Sequence, residues 1–183
     1  MPPSEDDIRI LIKGCKDNDR KAQEQVYNMF YEAMVHLCLR FTKNEGDAVE
    51  VLNNGFLKVF KKIGQYDPAK AALSTWIRSI IVHAAIDFIR VQKPPHISMS
   101  PQYEEVSPIE NIAIQKIAAG ELLAMIQHLP STTRLVFNLY VMEGFNHKEI
   151  ASLLDVNEGT SRWHLSEARK LLKQTIQLQQ VKT

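Results

Sequence analysis

Cysteine is nearly absent. Cys15 and Cys38 are the only two, too few for a disulfide framework or a Cys-rich zinc site, and they suit a reducing, cytoplasmic compartment. Long apolar runs are missing as well. None approaches the roughly 18 residues a transmembrane helix needs, so no membrane insertion is expected. The opening MPPSEDDIRI is acidic and lacks the basic-then-apolar layout of a signal peptide. Charge of one sign is lacking too: 22 Lys and Arg face 21 Asp and Glu, a formal net charge of +1. That balance excludes a histone-like or strongly polybasic chain. Period-two alternation nowhere persists long enough for a sheet. The six histidines form no HExxH pair or other ligand spacing, and neither a GxxxxGK[ST] phosphate loop nor a nucleophile elbow is present. An enzyme is therefore the least expected class, and no cofactor, catalytic residue or metal site is predicted.

What is present is unevenly distributed. Residues 58–93 hold 7 basic and 2 acidic side chains, whereas residues 1–57 hold 7 and 10. The basic segment lies mid-chain. Proline is clustered just beyond it: Pro94, Pro95, Pro101 and Pro108 are half of the chain's 8. Such a stretch cannot propagate a helix and has little to bury. The expected organisation is a domain at 1–93, a flexible Pro-rich linker at 94–118 and a domain at 119–183. Pieces this small suit compact helical modules.

Both halves read as helix, so the predicted fold class is all-α, two small helical domains. Ile8, Leu11 and Ile12 mark a short first helix closed near Gly14. Ala22, Val26, Met29, Phe30, Ala33, Leu37 and Phe41 recur at helical steps. Val49, Leu52, Phe56, Val59, Phe60 and Ile63 mark a third helix, which Gly64 should end. After the loop QYDPAKAA, Leu73, Trp76, Ile77, Ile80, Ala84 and Phe88 mark a fourth. Cys38 falls on an apolar helix face and reads as a small buried hydrophobe.

The C-terminal half carries a sharper signal. Ser131–Glu143 reads as one helix stopped by Gly144. Asn146 is a plausible N-cap with a capping-box Glu149, opening a short helix from His147 to Leu154. Asp155-Val156-Asn157 is a tight turn, and Glu158 opens a third helix running to about Gln177. A short helix, a brief turn and a longer helix make a helix-turn-helix candidate. Its apolar face is Ile150, Ala151 and Leu154, backed by Leu165, Ala168, Leu171 and Leu172. The exposed start of the last helix should carry Thr160, Ser161, Arg162, Trp163, Ser166 and Lys170, types that bond phosphates and base edges. The same spacing also fits a helical hairpin with a solvated basic face.

The stretch LP-STTRLVFNLYVMEGFNHKEIASLLDVNEGTSRWHLSEARKLL resembles region four of bacterial sigma factors, through Leu129-Pro130, Glu143-Gly144, the HKEIA core and Gly159-Thr160-Ser161. DAVEVLNNGFLKVFKKI (Asp47–Ile63) and LSTWIRSIIVHAAIDFIR (Leu73–Arg90) resemble region two. Two blocks in this order, with only a linker between them, resemble the extracytoplasmic-function (ECF) subfamily of the sigma-70 family.

The resemblance implies a non-catalytic transcription initiation factor. Its partners would be core RNA polymerase, through the β′ clamp coiled coil and the β flap, and promoter DNA; it also admits an anti-sigma protein. The polymerase-docking helix maps onto Asp47, Glu50, Asn54, Leu57, Lys58 and Lys61. By periodicity alone these read rather as a solvated helix face carrying Glu and Lys; the resemblance reverses that reading. The melted minus-ten element maps onto Lys70, Ser74, Thr75, Trp76, Arg78, Ser79, His83 and Arg90, where basic grooves and stacking hold unpaired bases. A Trp on so apolar a helix is usually core. His83 departs from the family, which most often has Asn there in a base-reading role; neutral His keeps one donor and one acceptor. The minus-thirty-five duplex maps onto Thr160, Ser161, Arg162, Trp163, Ser166, Glu167 and Lys170. Trp163 and Glu167 replace residues that are commonly small or basic.

Two other readings compete. One is an ordinary helix-turn-helix regulator whose helical N-terminal half binds a ligand or partner. The other is a protein-binding adaptor of two helical modules, which the basic face at Arg162, Arg169, Lys170 and Lys173 opposes.

Overall fold

The computed structural model describes residues 5–92 and 119–180. Every regular element among them is helical. The linker at 94–118 and Lys93 lie outside the described residues. By compactness the chain divides between Phe88 and Ile89, slightly before the sequence break.

The first unit contains α1 (Glu5–Lys16), α2 (Arg20–Phe41), α3 (Glu45–Lys62), a 3₁₀ turn (Ile63–Gln65) and α4 (Leu73–Gln92), which is taken with it whole although its last turn passes the division. Helix α2 packs between α1 and α3, and both α1 and α3 meet the 3₁₀ turn. Caps set the boundaries. The Asp19 carboxylate accepts from the Lys21 N–H at 2.8 Å, and Asn44 Oδ1 accepts from the Asp47 N–H at 2.8 Å; both satisfy otherwise orphaned first-turn donors. Helix α3 has Glu45 and Asp47 in its first turn and Lys61 and Lys62 in its last, matching its dipole at both ends.

The core is apolar and closed. Phe41, Phe56, Leu37, Leu52, Ile77 and Ile81 are fully buried, and each such side chain contributes roughly 1.5–3 kcal/mol of transfer free energy. Cys38 sits among them, as expected.

Three local expectations are corrected. Gly14 does not close the first helix, which runs on to Lys16. It permits close approach instead, because a Cβ there would sit 2.6 Å from Ala22 Cβ. Gly64 is not a left-handed cap: α3 passes into the 3₁₀ turn through Ile63 at φ −58°. On α2, Met29 and Ala33 are exposed. The buried stripe passes through Met34 and Cys38, so α1 and α3 are met by a face rotated from the one expected.

The second unit contains α5 (Ala119–His128), α6 (Ser131–Phe137), a π-helical turn (Asn138–Met142), α7 (His147–Leu154) and α8 (Glu158–Gln180). Helix α8 packs on α5, α6 and α7. Ser131–Glu143 is not one uniform helix. The Glu143 N–H reaches back to Asn138 O at 3.0 Å, a widened turn. This register slip buries Asn138 and Leu139 while Val141 and Met142 face outward. Gly144 then takes φ +77°, a conformation glycine tolerates best. Arg134, only 2% exposed, donates to Gln127 O at 2.8 Å and so staples α6 to α5. Burial lowers its pKa.

Candidate nucleic-acid interface

Each unit presents a polar face. Helix α7 opens with a complete capping box: Asn146 Oδ1 accepts from the Glu149 N–H at 2.9 Å, and the Asn146 N–H donates to Glu149 Oε2 at 2.8 Å. Asp155, at φ 55°, turns the chain sharply. Asn157 Oδ1 then accepts from both the N–H and the hydroxyl of Thr160, at 2.7 and 3.1 Å, starting α8. Two helices are thereby set against each other around Ile150, Ala151, Leu154, Leu165 and Ala168, all buried.

The outward side of α8 is narrower than expected. Arg162 and Lys170 are exposed, and Trp163 and Glu167 are half-buried. Thr160, Ser161 and Ser166 are buried instead, correcting their assignment to an exposed face. The reasons are local. Thr160 is spent on the Asn157 cap, and Ser161, 0% exposed, meets His147 Nδ1 at 2.9 Å. Ser166 lies on the side of α8 that faces its own unit. Arg162 Nη2 is 3.1 Å from Glu158 Oε2. This one-turn pair leaves the guanidinium at the surface; its stabilising value is small, and its effect is to orient the side chain.

Two histidines, His147 and His164, hold this helix. The His147 ring stacks on Tyr140 at 4.5 Å and 25°, so the π turn, α7 and α8 meet at one imidazole. Burial and then Arg162 lower its pKa. His164, 6% exposed, meets Thr133 Oγ1 through Nδ1 at 3.0 Å, and burial holds its pKa down to about 4. Its helical spacing with Ser161, Leu165, Ala168 and Leu172, all buried, is the sequence signal for its inward face.

In the first unit the polar face lies on α4 and the loop before it. Lys70, Ser74, Thr75, Ser79, His83 and Arg90 are exposed, and Arg78 is half-buried. Trp76 is neither core nor free. It is half-buried, with its ring 5.4 Å from that of Tyr66. Tyr66 in turn donates to Ala71 O at 3.1 Å, so the aromatic pair is braced by the loop. Ser79 Oγ donates to Trp76 O at 2.8 Å, and His83 Nδ1 lies 2.6 Å from Ser79 O.

On α3, Glu50, Asn54, Leu57 and Lys61 are exposed. Leu57 is 58% exposed, a large apolar side chain set among charges. Asp47 and Lys58 are more committed. Asp47 joins the Asn44 cap at 3.1 Å, and Lys58 Nζ bridges to Asp87 of α4 at 2.7 Å. Neither thiol is activated: burial raises the pKa of Cys15, and raises that of Cys38 to about 12. Among the described residues, no helix is long and apolar enough to cross a membrane.

Residues 26–94 match the family described as Sigma-70 region 2, and residues 119–172 match Sigma-70, region 4. The chain is similar to the ECF RNA polymerase sigma factor SigW of Bacillus subtilis (strain 168), at 25% identity over 185 residues, which covers 92% of this chain and 96% of that one. It is similar to SigM, another ECF RNA polymerase sigma factor of Bacillus subtilis (strain 168), at 24% identity over 157 residues, covering 82% of this chain and 92% of that one. The solved structure of CnrH in complex with the cytosolic domain of CnrY aligns over 93% of this chain and 97% of that one, at 17% identity and a TM-score of 0.48.

Proposed function

We propose a division of labour between the two units on one premise: this chain belongs to the sigma-70 family, as an RNA polymerase sigma factor of the ECF type. The family matches fall in order on the two units, and that observation carries the reading. The competing helix-turn-helix regulator has no use for a region-two match over residues 26–94.

The first unit docks on core polymerase through the outward face of α3. Leu57 supplies the apolar contact, and Glu50, Asn54 and Lys61 surround it. Asp47 and Lys58 contribute while also holding the cap and the Asp87 bridge. The α4 face takes the melted minus-ten strand. Trp76, backed by Tyr66, offers a stacking edge, and Lys70, Arg78 and Arg90 balance phosphate charge. Ser74, Thr75, Ser79 and His83 lie where base edges pass.

The second unit sets α8 in the major groove of the minus-thirty-five duplex. Arg162, Trp163, Glu167 and Lys170 form the reading side. Thr160, Ser161 and Ser166 position that side from behind. Nothing in this work requires a catalytic group of the chain's own, and it takes place where polymerase and the chromosome are, in the cytoplasm.

Run-off transcription on genomic fragments, with purified core polymerase and with or without this chain, tests the reading. New start sites that appear only with the chain support it. No added initiation on any fragment contradicts it.

A further inference from the structure

Ser79 and His83 lie one turn apart on the exposed face of α4, and both have spent their protons on their own helix. The Ser79 hydroxyl donates to the Trp76 carbonyl at 2.8 Å. His83 Nδ1 is 2.6 Å from the Ser79 carbonyl. A carbonyl oxygen has no proton to give, so the proton in that contact sits on Nδ1. In a neutral imidazole the other nitrogen, Nε2, then carries a lone pair and no hydrogen. Each residue is therefore left with lone pairs toward solvent, on Ser79 Oγ and His83 Nε2. Carbonyl acceptors of the same helix fix this polarity, so it does not depend on a mobile side-chain partner.

We propose that Ser79 and His83 form an acceptor-only patch that selects a base bearing an exocyclic amino group, adenine, cytosine or guanine, over thymine in the melted strand. This rests on the reading of α4 as the minus-ten face. An amino N–H is met by a lone pair on either residue. Thymine fits poorly: its one ring N–H lies between two carbonyl oxygens, whose lone pairs oppose those of the patch. Phosphate is excluded on the same ground, which separates this patch from Lys70 and Arg90. An Asn at position 83 would offer both a donor and an acceptor, so His narrows the choice that Asn leaves open.

The test uses the chain bound to core polymerase at pH 8, on a promoter first identified by run-off transcription. Each minus-ten position of the non-template strand is replaced in turn by the four bases and by purine, which is adenine without its amino group. At one position, open-complex formation should fall roughly three- to tenfold when adenine becomes purine or thymine, the size of one lost hydrogen bond. That difference should vanish in His83→Phe and shrink in Ser79→Ala. Ring ¹⁵N spectra of His83 should show Nδ1 protonated and Nε2 bare. Equal tolerance of adenine, purine and thymine at every position, or a proton on Nε2, overturns the proposal while leaving the sigma-factor reading intact. Failure to open any promoter removes both.

Discussion

His147 Nδ1 and Ser161 Oγ meet at 2.9 Å, joining the first turn of α7 to the first turn of α8, directly beside Arg162. Ser161→Ala leaves the half-buried imidazole without this partner. The expected cost is about 1–2 kcal/mol of stability in the second unit, visible in thermal melts. Affinity for minus-thirty-five duplex should fall while binding of single-stranded minus-ten oligonucleotide holds. An unchanged melting temperature would show that the bond does not position the helix.

Acid should loosen the second unit. Both His164 and His147 have pKa values lowered below the ordinary 6.5 by burial, so the fold prefers them neutral. Their contribution is fully present above pH 6.5 and is lost as pH falls toward the folded-state value, which for His164 is about 4. The His164 shift alone corresponds to about 3 kcal/mol. Denaturant melts between pH 7 and 4 should show stability falling with pH. His164→Gln should flatten that slope, and an equal slope in the variant would remove His164 as its source.

The contacts of these histidines are not legible in the sequence, because their partners lie fourteen and thirty-one residues away. Capping and turns were legible because they are local: Asn146 with Glu149 lies in one short segment, and the helix from His147 to Leu154 was read at its observed ends. Periodicity identified most of both cores. It did not fix which face of α2 is buried, since Met29 and Met34 are equally apolar and only the packing of α1 and α3 chooses between them. Thr160, Ser161 and Ser166 are of types that suit DNA, yet all three are buried. Hydroxyls suit a base edge and a buried partner equally, and the partner of Ser161 is fourteen residues away. The π turn has no reliable sequence mark. Helix α5 had one, in the spacing of Leu122, Met125, Ile126 and Leu129.

The two close-approach glycines should differ. A methyl at Gly14 meets Ala22 Cβ at 2.6 Å, an atom fixed to helix backbone, so α1 and α2 must separate. A methyl at Gly55 meets the tip of Ile81, which can rotate. Alanine gains about 1 kcal/mol of helix propensity at either site, against roughly 1–3 kcal/mol for overpacking. Gly14→Ala should therefore destabilise by up to about 2 kcal/mol and Gly55→Ala by less. Chemical denaturation of the two variants checks the order, and the reverse order would refute the packing argument.

Polymerase docking should be separable from folding. Glu50→Lys combined with Leu57→Asp changes only exposed side chains, so the thermal midpoint should move little. Affinity for core polymerase should drop at least tenfold in a pull-down titration. Asp47 is a poorer probe, because its replacement also disturbs the Asn44 cap. Undiminished affinity in the double variant would remove the α3 face from the interface.

The central claim is that α4 opens DNA and α8 finds it. Permanganate reactivity of unpaired thymines, measured on one promoter with polymerase bound, tests this most directly. Lys70→Ala with His83→Ala should keep polymerase binding and minus-thirty-five affinity but reduce reactivity across the minus-ten element. Arg162→Ala should do the opposite, costing roughly 1–3 kcal/mol in duplex binding and melting normally at saturating protein. Full reactivity in the first variant, or a melting defect in the second that saturation does not relieve, would contradict the division.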